Sequence, residues 1–111
     1  TVTIAATGTG NTVTQPGSVT NASGQTTGTV TSTAVGAKTI SAIAAGVSIT
    51  QTQSLTVTAA AVSASASSLG AGTATITAGS GTSLITVTAR DQFNNPVPNA
   101  VVVFNSTGSN N

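Results

Sequence analysis

Histidine, cysteine, methionine, tryptophan and tyrosine are all missing from this 111-residue chain, and the only aromatic side chains are Phe93 and Phe104. The charged residues are Lys38, Arg90 and Asp91, which leave a net charge of +1. Each absence removes a class of function. Without His, Cys, Glu or Tyr, little is left that titrates near neutrality to carry general acid–base chemistry. Two cations cannot neutralise a nucleic-acid backbone, and no basic run offers itself to anionic lipid. No zinc or iron ligand set can be assembled. Ser, Thr or Gly interrupts every apolar run long before the roughly 18 residues of a membrane helix, so no membrane insertion is expected. The chain has no signal-peptide pattern and opens on Thr1, which reads as a mature protein or a segment of a larger one.

About a third of the residues are Ser or Thr, and Val, Ala, Ile and Gly make up most of the rest. The β-branched residues suit a pleated sheet, and good helix formers are scarce. An all-β fold follows. Predicted strands cover 1–6, 12–14, 25–33, 38–44, 51–58, 73–77, 83–89 and 100–104, with Val47-Ser48-Ile49 leading into the fifth. Turn signals separate them: Gln15-Pro16-Gly17, Asn21-Ala22-Ser23-Gly24, Gly36, Gly46 and Asp91-Gln92-Phe93-Asn94-Asn95-Pro96. Within 25–33, Thr27, Thr29, Thr31 and Thr33 alternate as a solvent face. Ala59 to Ser68 is small and flexible in texture, the best place for a domain boundary. The expected core residues are Ile40, Ile43, Leu55, Val57, Ile85, Val87, Val101, Val103 and Phe104, a thin set that shifts much of the stability onto sheet hydrogen bonds and neighbour contacts.

The end of the chain repeats its beginning. Residues 2–11, Val-Thr-Ile-Ala-Ala-Thr-Gly-Thr-Gly-Asn, align with residues 102–111, Val-Val-Phe-Asn-Ser-Thr-Gly-Ser-Asn-Asn, at a constant offset of 100. Val2/Val102, Thr7/Thr107, Gly8/Gly108 and Asn11/Asn111 are identical. An apolar strand entering a Thr-Gly-x-x-Asn turn thus occurs twice, one domain length apart, the signature of a tandem array cut out of phase with its domains.

Two stretches resemble the bacterial immunoglobulin-like repeats of the invasin and intimin type. Residues 85–103, from Ile85-Thr86-Val87-Thr88 through Asp91 and Asn94-Asn95-Pro96-Val97, are similar to that family's second-to-third-strand hairpin. Residues 20–32, with Asn21-Ala22-Ser23-Gly24, are similar to a later turn and strand. Their order here is the reverse of the family's. The resemblance implies an Ig-like β-sandwich in which residues 1–58 finish one repeat and residues 59–111 begin the next. It further implies a structural repeat of an extracellular bacterial surface stalk, adhesin or filament, whose partners are neighbouring copies. Filamin-like repeats use similar hairpins. Two other functions are compatible with the sequence: a pilus-like subunit polymerising by strand donation, and a glycan-binding sandwich with Phe93 as its one aromatic contact.

No catalytic, cofactor-binding or metal-binding residue is expected. Lys38 in a Ser–Lys dyad has no serine singled out for it and reads as a solubilising strand residue. Asp91 with Asn94 and Asn95 presents oxygen atoms to calcium, but such sites gather several carboxylates; Asp91 reads instead as an acceptor for the hairpin backbone, with Arg90 or Lys38 near it. The Thr-x-Thr pairs, such as Thr29/Thr31, Thr73/Thr75 and Thr86/Thr88, lack the fixed short period of an ice-binding array. Asn21 and Asn105 stand in N-glycosylation sequons, a motif that arises easily in so Asn- and Ser/Thr-rich a chain.

Overall fold

The computed structural model describes residues 1–110, and its secondary structure is all β. The chain divides into two compact units, Thr1–Thr58 and Ala59–Asn111. The first holds β1 (Val2–Ala6), β2 (Asn11–Thr14), β3 (Thr29–Ser32), β4 (Gly36–Ala44), β5 (Val47–Ser48) and β6 (Gln53–Val57). The second holds β7 (Ser68–Ala71) and β8 (Ile85–Thr88). No helix occurs among the described residues, so none is long and apolar enough to cross a membrane.

β4 organises the first unit. Its nine residues pair antiparallel with β1 on one edge, from Val2↔Ala44 to Ala6↔Ile40. The other edge takes β5 near the C-terminal end and β6 near the start, from Gly36↔Val57 to Ile40↔Gln53. Directly paired residues share a face and successive residues alternate. One face of this sheet therefore carries Val2, Ile4, Ile40, Ala42, Leu55 and Val57, and the other carries Thr3, Thr39, Ser41, Ser54 and Thr56. The exposure of β1 follows the same alternation, with Val2, Ile4 and Ala6 half-buried and Thr3 and Ala5 exposed.

β2 and β3 form a separate antiparallel pair, Asn11↔Ser32 to Thr14↔Thr29. The long connection between them turns at Asn21, whose Oδ1 accepts from the backbone N–H of Ser23 (2.9 Å) and Gln25 (3.0 Å). This is an Asx-turn, at the place where the sequence signals a turn.

The outer edge of β1 faces no backbone partner at Ile4, and a side chain takes that place. Gln15 Nε2 donates to the Ile4 carbonyl and Gln15 Oε1 accepts from the Ile4 N–H, both at 2.7 Å. One primary amide thus imitates a residue of a paired strand. Gln15→Ala is expected to cost about 1–2 kcal/mol, two hydrogen bonds partly replaced by water. Faster amide exchange at Ile4 in the variant is the check, and unchanged exchange would refute the role.

In the second unit β7 pairs with β8, Ser68↔Thr88 to Ala71↔Ile85. The ladder extends by one bond, Gly72 N–H to the Leu84 carbonyl at 2.7 Å. Beyond it the Ser83 hydroxyl takes over, donating to the Thr73 carbonyl (2.6 Å) and accepting from the Thr73 N–H (3.3 Å). Leu69, Val87 and Ile85 lie on one face of this pair.

Several expectations are corrected here. Residues 73–77 form no strand, because their alternation finds no backbone to pair with. Residues 100–104 form none for the same reason, and β7, unanticipated, lies at the end of the Ala59–Ser68 segment. None of the nine expected core residues is buried: Ile40, Val57 and Val87 are half-buried, while Ile43, Leu55, Ile85, Val101, Val103 and Phe104 are exposed. In fact no apolar side chain among the described residues is buried. The alternation places Leu55 with Val57 and Ile85 with Val87 as expected, yet none of these side chains is fully buried.

Candidate functional site: the Asp91 turn and the Lys38 contact

Lys38 and Asp91, two of the three charged residues, are the buried side chains of the described chain, at 5% and 1% relative exposure. Burying a charged group is costly unless it is hydrogen-bonded. Each belongs to a different unit and is satisfied within it.

Asp91 sits in the connection that follows β8. Arg90 and Pro96 form an isolated antiparallel bridge, the Val97 N–H donates to the Ala89 carbonyl (3.0 Å), and the Asp91 N–H donates to the Asn95 carbonyl (2.9 Å). The chain reverses between them through Asn94, which takes a left-handed φ of 67°, a conformation Asn tolerates better than most residues. Asp91 Oδ1 accepts from the backbone N–H of Phe93 and of Asn95, each at 2.9 Å. The Asn95 Nδ2 donates to both carboxylate oxygens, at 2.9 and 3.2 Å. Oδ2 also accepts from the Ala60 N–H at 3.0 Å.

That last bond joins the turn to the Ala/Ser-rich segment that the sequence presents as flexible. The neighbouring Arg90 carbonyl accepts from the Ser63 N–H (2.8 Å) and the Ser67 hydroxyl (3.2 Å), and the Arg90 N–H donates to Ser67 Oγ (2.9 Å). The segment 60–67 is thus stitched along Arg90-Asp91. Nothing in the sequence singles out Ser63 or Ser67 for this, because serine is so common here.

Burial raises the pKa of the Asp91 carboxyl. The hydrogen bonds from the Asn95 side chain and from the backbone of Ala60, Asn95 and Phe93 outweigh it and hold the group below its ordinary 3.8, since each of these donors favours the charged form. The carboxylate is therefore an anchor for backbone donors, as its position in the turn suggested. The geometry gives calcium little purchase: both oxygens already face N–H groups that would have to be displaced. Arg90 lies beside Asp91 in sequence but extends its guanidinium to the Asn94 carbonyl at 2.9 Å. Phe93, the candidate glycan contact, is 49% exposed and contributes its backbone N–H to the anchor.

Lys38 departs from the expectation of a solubilising residue. It stands on the same face of β4 as Ile40, and its Nζ donates to the Thr9 carbonyl at 3.0 Å, inside the β1–β2 turn. Gly8 makes room for it: a Cβ there would stand 3.1 Å from the Lys38 Nζ, and Gly8 also has a φ of 82°. In the same turn Asn11 Nδ2 donates to the Thr7 and Gly8 carbonyls, at 2.9 and 3.1 Å. Thr7 completes the attachment to β4 in two ways. Its N–H donates to the Thr39 carbonyl (3.1 Å), and its hydroxyl oxygen accepts from the Thr39 N–H (2.9 Å). The Lys38 Nζ meets a backbone carbonyl rather than a serine hydroxyl, the arrangement of a cation capping a turn.

Both polar sites hold turns against neighbouring chain. No protein-family model, curated protein or solved structure matches the sequence. The chemistry of these residues and the open sheet faces therefore carry the functional reading.

Proposed function

We propose that this chain is a structural repeat of an extracellular bacterial surface stalk, adhesin or filament, and that it supplies length and mechanical continuity through copies joined end to end. One observation carries the reading: each unit has an apolar sheet face, and no apolar side chain on it is fully buried. Leu69 on β7 is 72% exposed, Ile85 beside it is also exposed, and in the first unit Leu55 on the apolar face is exposed as well. A sheet that leaves its apolar face open gains little from the burial that normally stabilises a domain. The open faces of the two kinds of unit are complementary in character. If the 59–100 portion of one copy is followed by the 1–58 portion of the next, the β7–β8 face and the β1–β4–β6 face become the two inner layers of an Ig-like sandwich. The 100-residue recurrence supplies that phase, and the resemblance to bacterial Ig-like repeats supports both the fold and the surface location. The hydrogen bonds of Lys38 and Asp91 hold turns in place rather than forming a reactive centre.

Polypeptides of two, four and eight copies, joined at the 100-residue period, test the proposal. Electron microscopy should show rods whose length rises in equal steps with copy number, as stacked repeats do. Particles that collapse, or a contour that grows as a flexible coil, would rule it out.

A further inference from the structure

We infer that residues 102–106 are a β1 strand without its β4, and that they pair with the β4 of the adjoining copy in the register β1 uses here. The inference rests on the structural-repeat reading and names the partner of one segment within it.

The recurrence at an offset of 100 extends from sequence to backbone. Gly8 and Gly108 have φ of 82° and 97°, and Gly10 and Asn110 have φ of 73° and 58°. Two left-handed residues spaced two apart thus follow the apolar segment in both places, although Gly has become Asn at the second. Local sequence therefore builds the same turn twice. The preceding residues behave differently. Val2–Ala6 is a strand because β4 lies beside it. Val102–Ser106 is not a strand, and the flanking Val101 is 93% exposed and Val103 76%.

The β1 register transfers directly. Val102 would oppose Ala44, Phe104 would oppose Ala42 and Ser106 would oppose Ile40, with Val103 opposite Ile43 and Asn105 opposite Ser41. This places Val102 and Phe104 on the apolar face, where Val2 and Ile4 stand. It also offers Thr107 to Thr39 of the adjoining copy, matching the two bonds Thr7 makes. Phe104 already borders a cleft with Leu69 and Ile85, so one side chain would join the β7–β8 face to the incoming sheet. The partner has to be an adjoining copy. In a separate molecule of this chain the β4 edge is occupied by β1, whereas in a tandem polypeptide residues 102–111 are themselves the second copy's β1 and turn.

The test is the full chain extended after Asn111 by residues 12–58, which continues the period. The Thr7 N–H and Ala45 N–H bonds to the Thr39 and Thr1 carbonyls set the hydrogen-bonded positions of the β1–β4 ladder, and every second residue shares them. Val103 and Asn105 should therefore show amide exchange at least about tenfold slower in the extended protein than in the original chain. Unchanged exchange at both would overturn the inference. Val102→Cys paired with Ala44→Cys in the added copy should oxidise to a disulfide, since that pair is a directly opposed, non-hydrogen-bonded one. Val102→Cys paired with Ile43→Cys is slipped by one residue and places the thiols on opposite faces, so it should oxidise about tenfold less. Equal oxidation of the two pairs would overturn the register. Equally fast oxidation between separate chains, one carrying Val102→Cys and the other Ala44→Cys, would overturn the adjoining-copy assignment. Rods that lengthen with copy number while Val103 and Asn105 stay unprotected would defeat this inference and leave the structural repeat standing.

Discussion

Replacing Asp91 by alanine is expected to lower the melting temperature of the 59–111 unit by on the order of 10 °C, the largest effect of any side-chain truncation in it. The reason is the number of donors one carboxylate serves. The N–H groups of Ala60, Phe93 and Asn95 and the Asn95 amide all lose their acceptor together. Unsatisfied donors in a shielded position cost more than the bonds they replace gain. Asp91→Asn should fall between parent and alanine variant. An amide oxygen at Oδ1 still serves Phe93 and Asn95, but an amide nitrogen in the Oδ2 position would meet the Ala60 N–H donor to donor. Hydrogen exchange should quicken at Ala60, Phe93 and Asn95 in that order of variants. A melt for Asp91→Ala that coincides with the parent's would show that the turn stands without its anchor.

The same carboxylate makes a pH prediction with a fixed sign. Its folded pKa lies below the ordinary 3.8, so the unfolded chain takes up its proton first as the solution is acidified. The stabilisation is fully present above the unfolded value, from about pH 5 upward. It is lost as pH falls below 3.8 and through the depressed folded value. Asp91 is the only side-chain carboxyl in the chain. A thermal melt followed from pH 6 to pH 2 should thus drop at the acid end in the parent, and the drop should be absent in Asp91→Ala.

The Asp91 turn was legible in the sequence because its chemistry is local. An Asp followed two and four residues later by the groups that donate to it, with Asn94 able to turn left-handed, needs nothing from distant chain. The Asn21 turn was legible for the same reason, and so were β1, β4 and β8, whose alternation coincides with a real partner. The change of texture at Ala59 falls where the two compact units divide. What local pattern could not supply was the partner. Thr73-Ala74-Thr75-Ile76-Thr77 alternates as well as β3 does, yet Thr73 meets a serine hydroxyl where a strand residue would have had backbone. Ser68-Leu69-Gly70-Ala71 has no β-branched residue at all and is a strand because Thr86-Val87-Thr88 lies beside it. Lys38 was misjudged because its acceptor is a backbone carbonyl 29 residues earlier in the chain, which no charge pattern announces. The nine expected core positions erred in one direction: periodicity says which face is apolar and is silent on whether anything covers it.

Gly28→Val is expected to destabilise the Thr1–Thr58 unit by about 2–3 kcal/mol, the overpacking cost of a side chain with no space to enter. A Cβ at Gly28 would lie 2.6 Å from the Thr14 carbonyl oxygen, 2.8 Å from Ile4 Cδ1 and 3.3 Å from Pro16 Cδ. Two of these neighbours differ in how they can respond. Ile4 Cδ1 is the end of a side chain and can rotate away. The Thr14 oxygen is backbone at the end of β2, opposite Thr29 in the β2–β3 register, so it retreats only if that end of the ladder opens. Gly28→Ala already meets both contacts and should cost about 1–2 kcal/mol, even though it lowers the entropy of the unfolded chain. Combining Gly28→Ala with Ile4→Val separates the two parts. The shorter side chain removes the Cδ1 contact, so the double variant should be more stable than the sum of the single changes predicts, while the backbone contact keeps it below the parent. Urea unfolding supplies the energies, and amide exchange at Thr29 reports whether the ladder end has opened. If Gly28→Ala proves neutral, β2 and β3 do not rest on β1 through this contact, and the Gln15 amide is left as the link between β1 and the chain that follows β2.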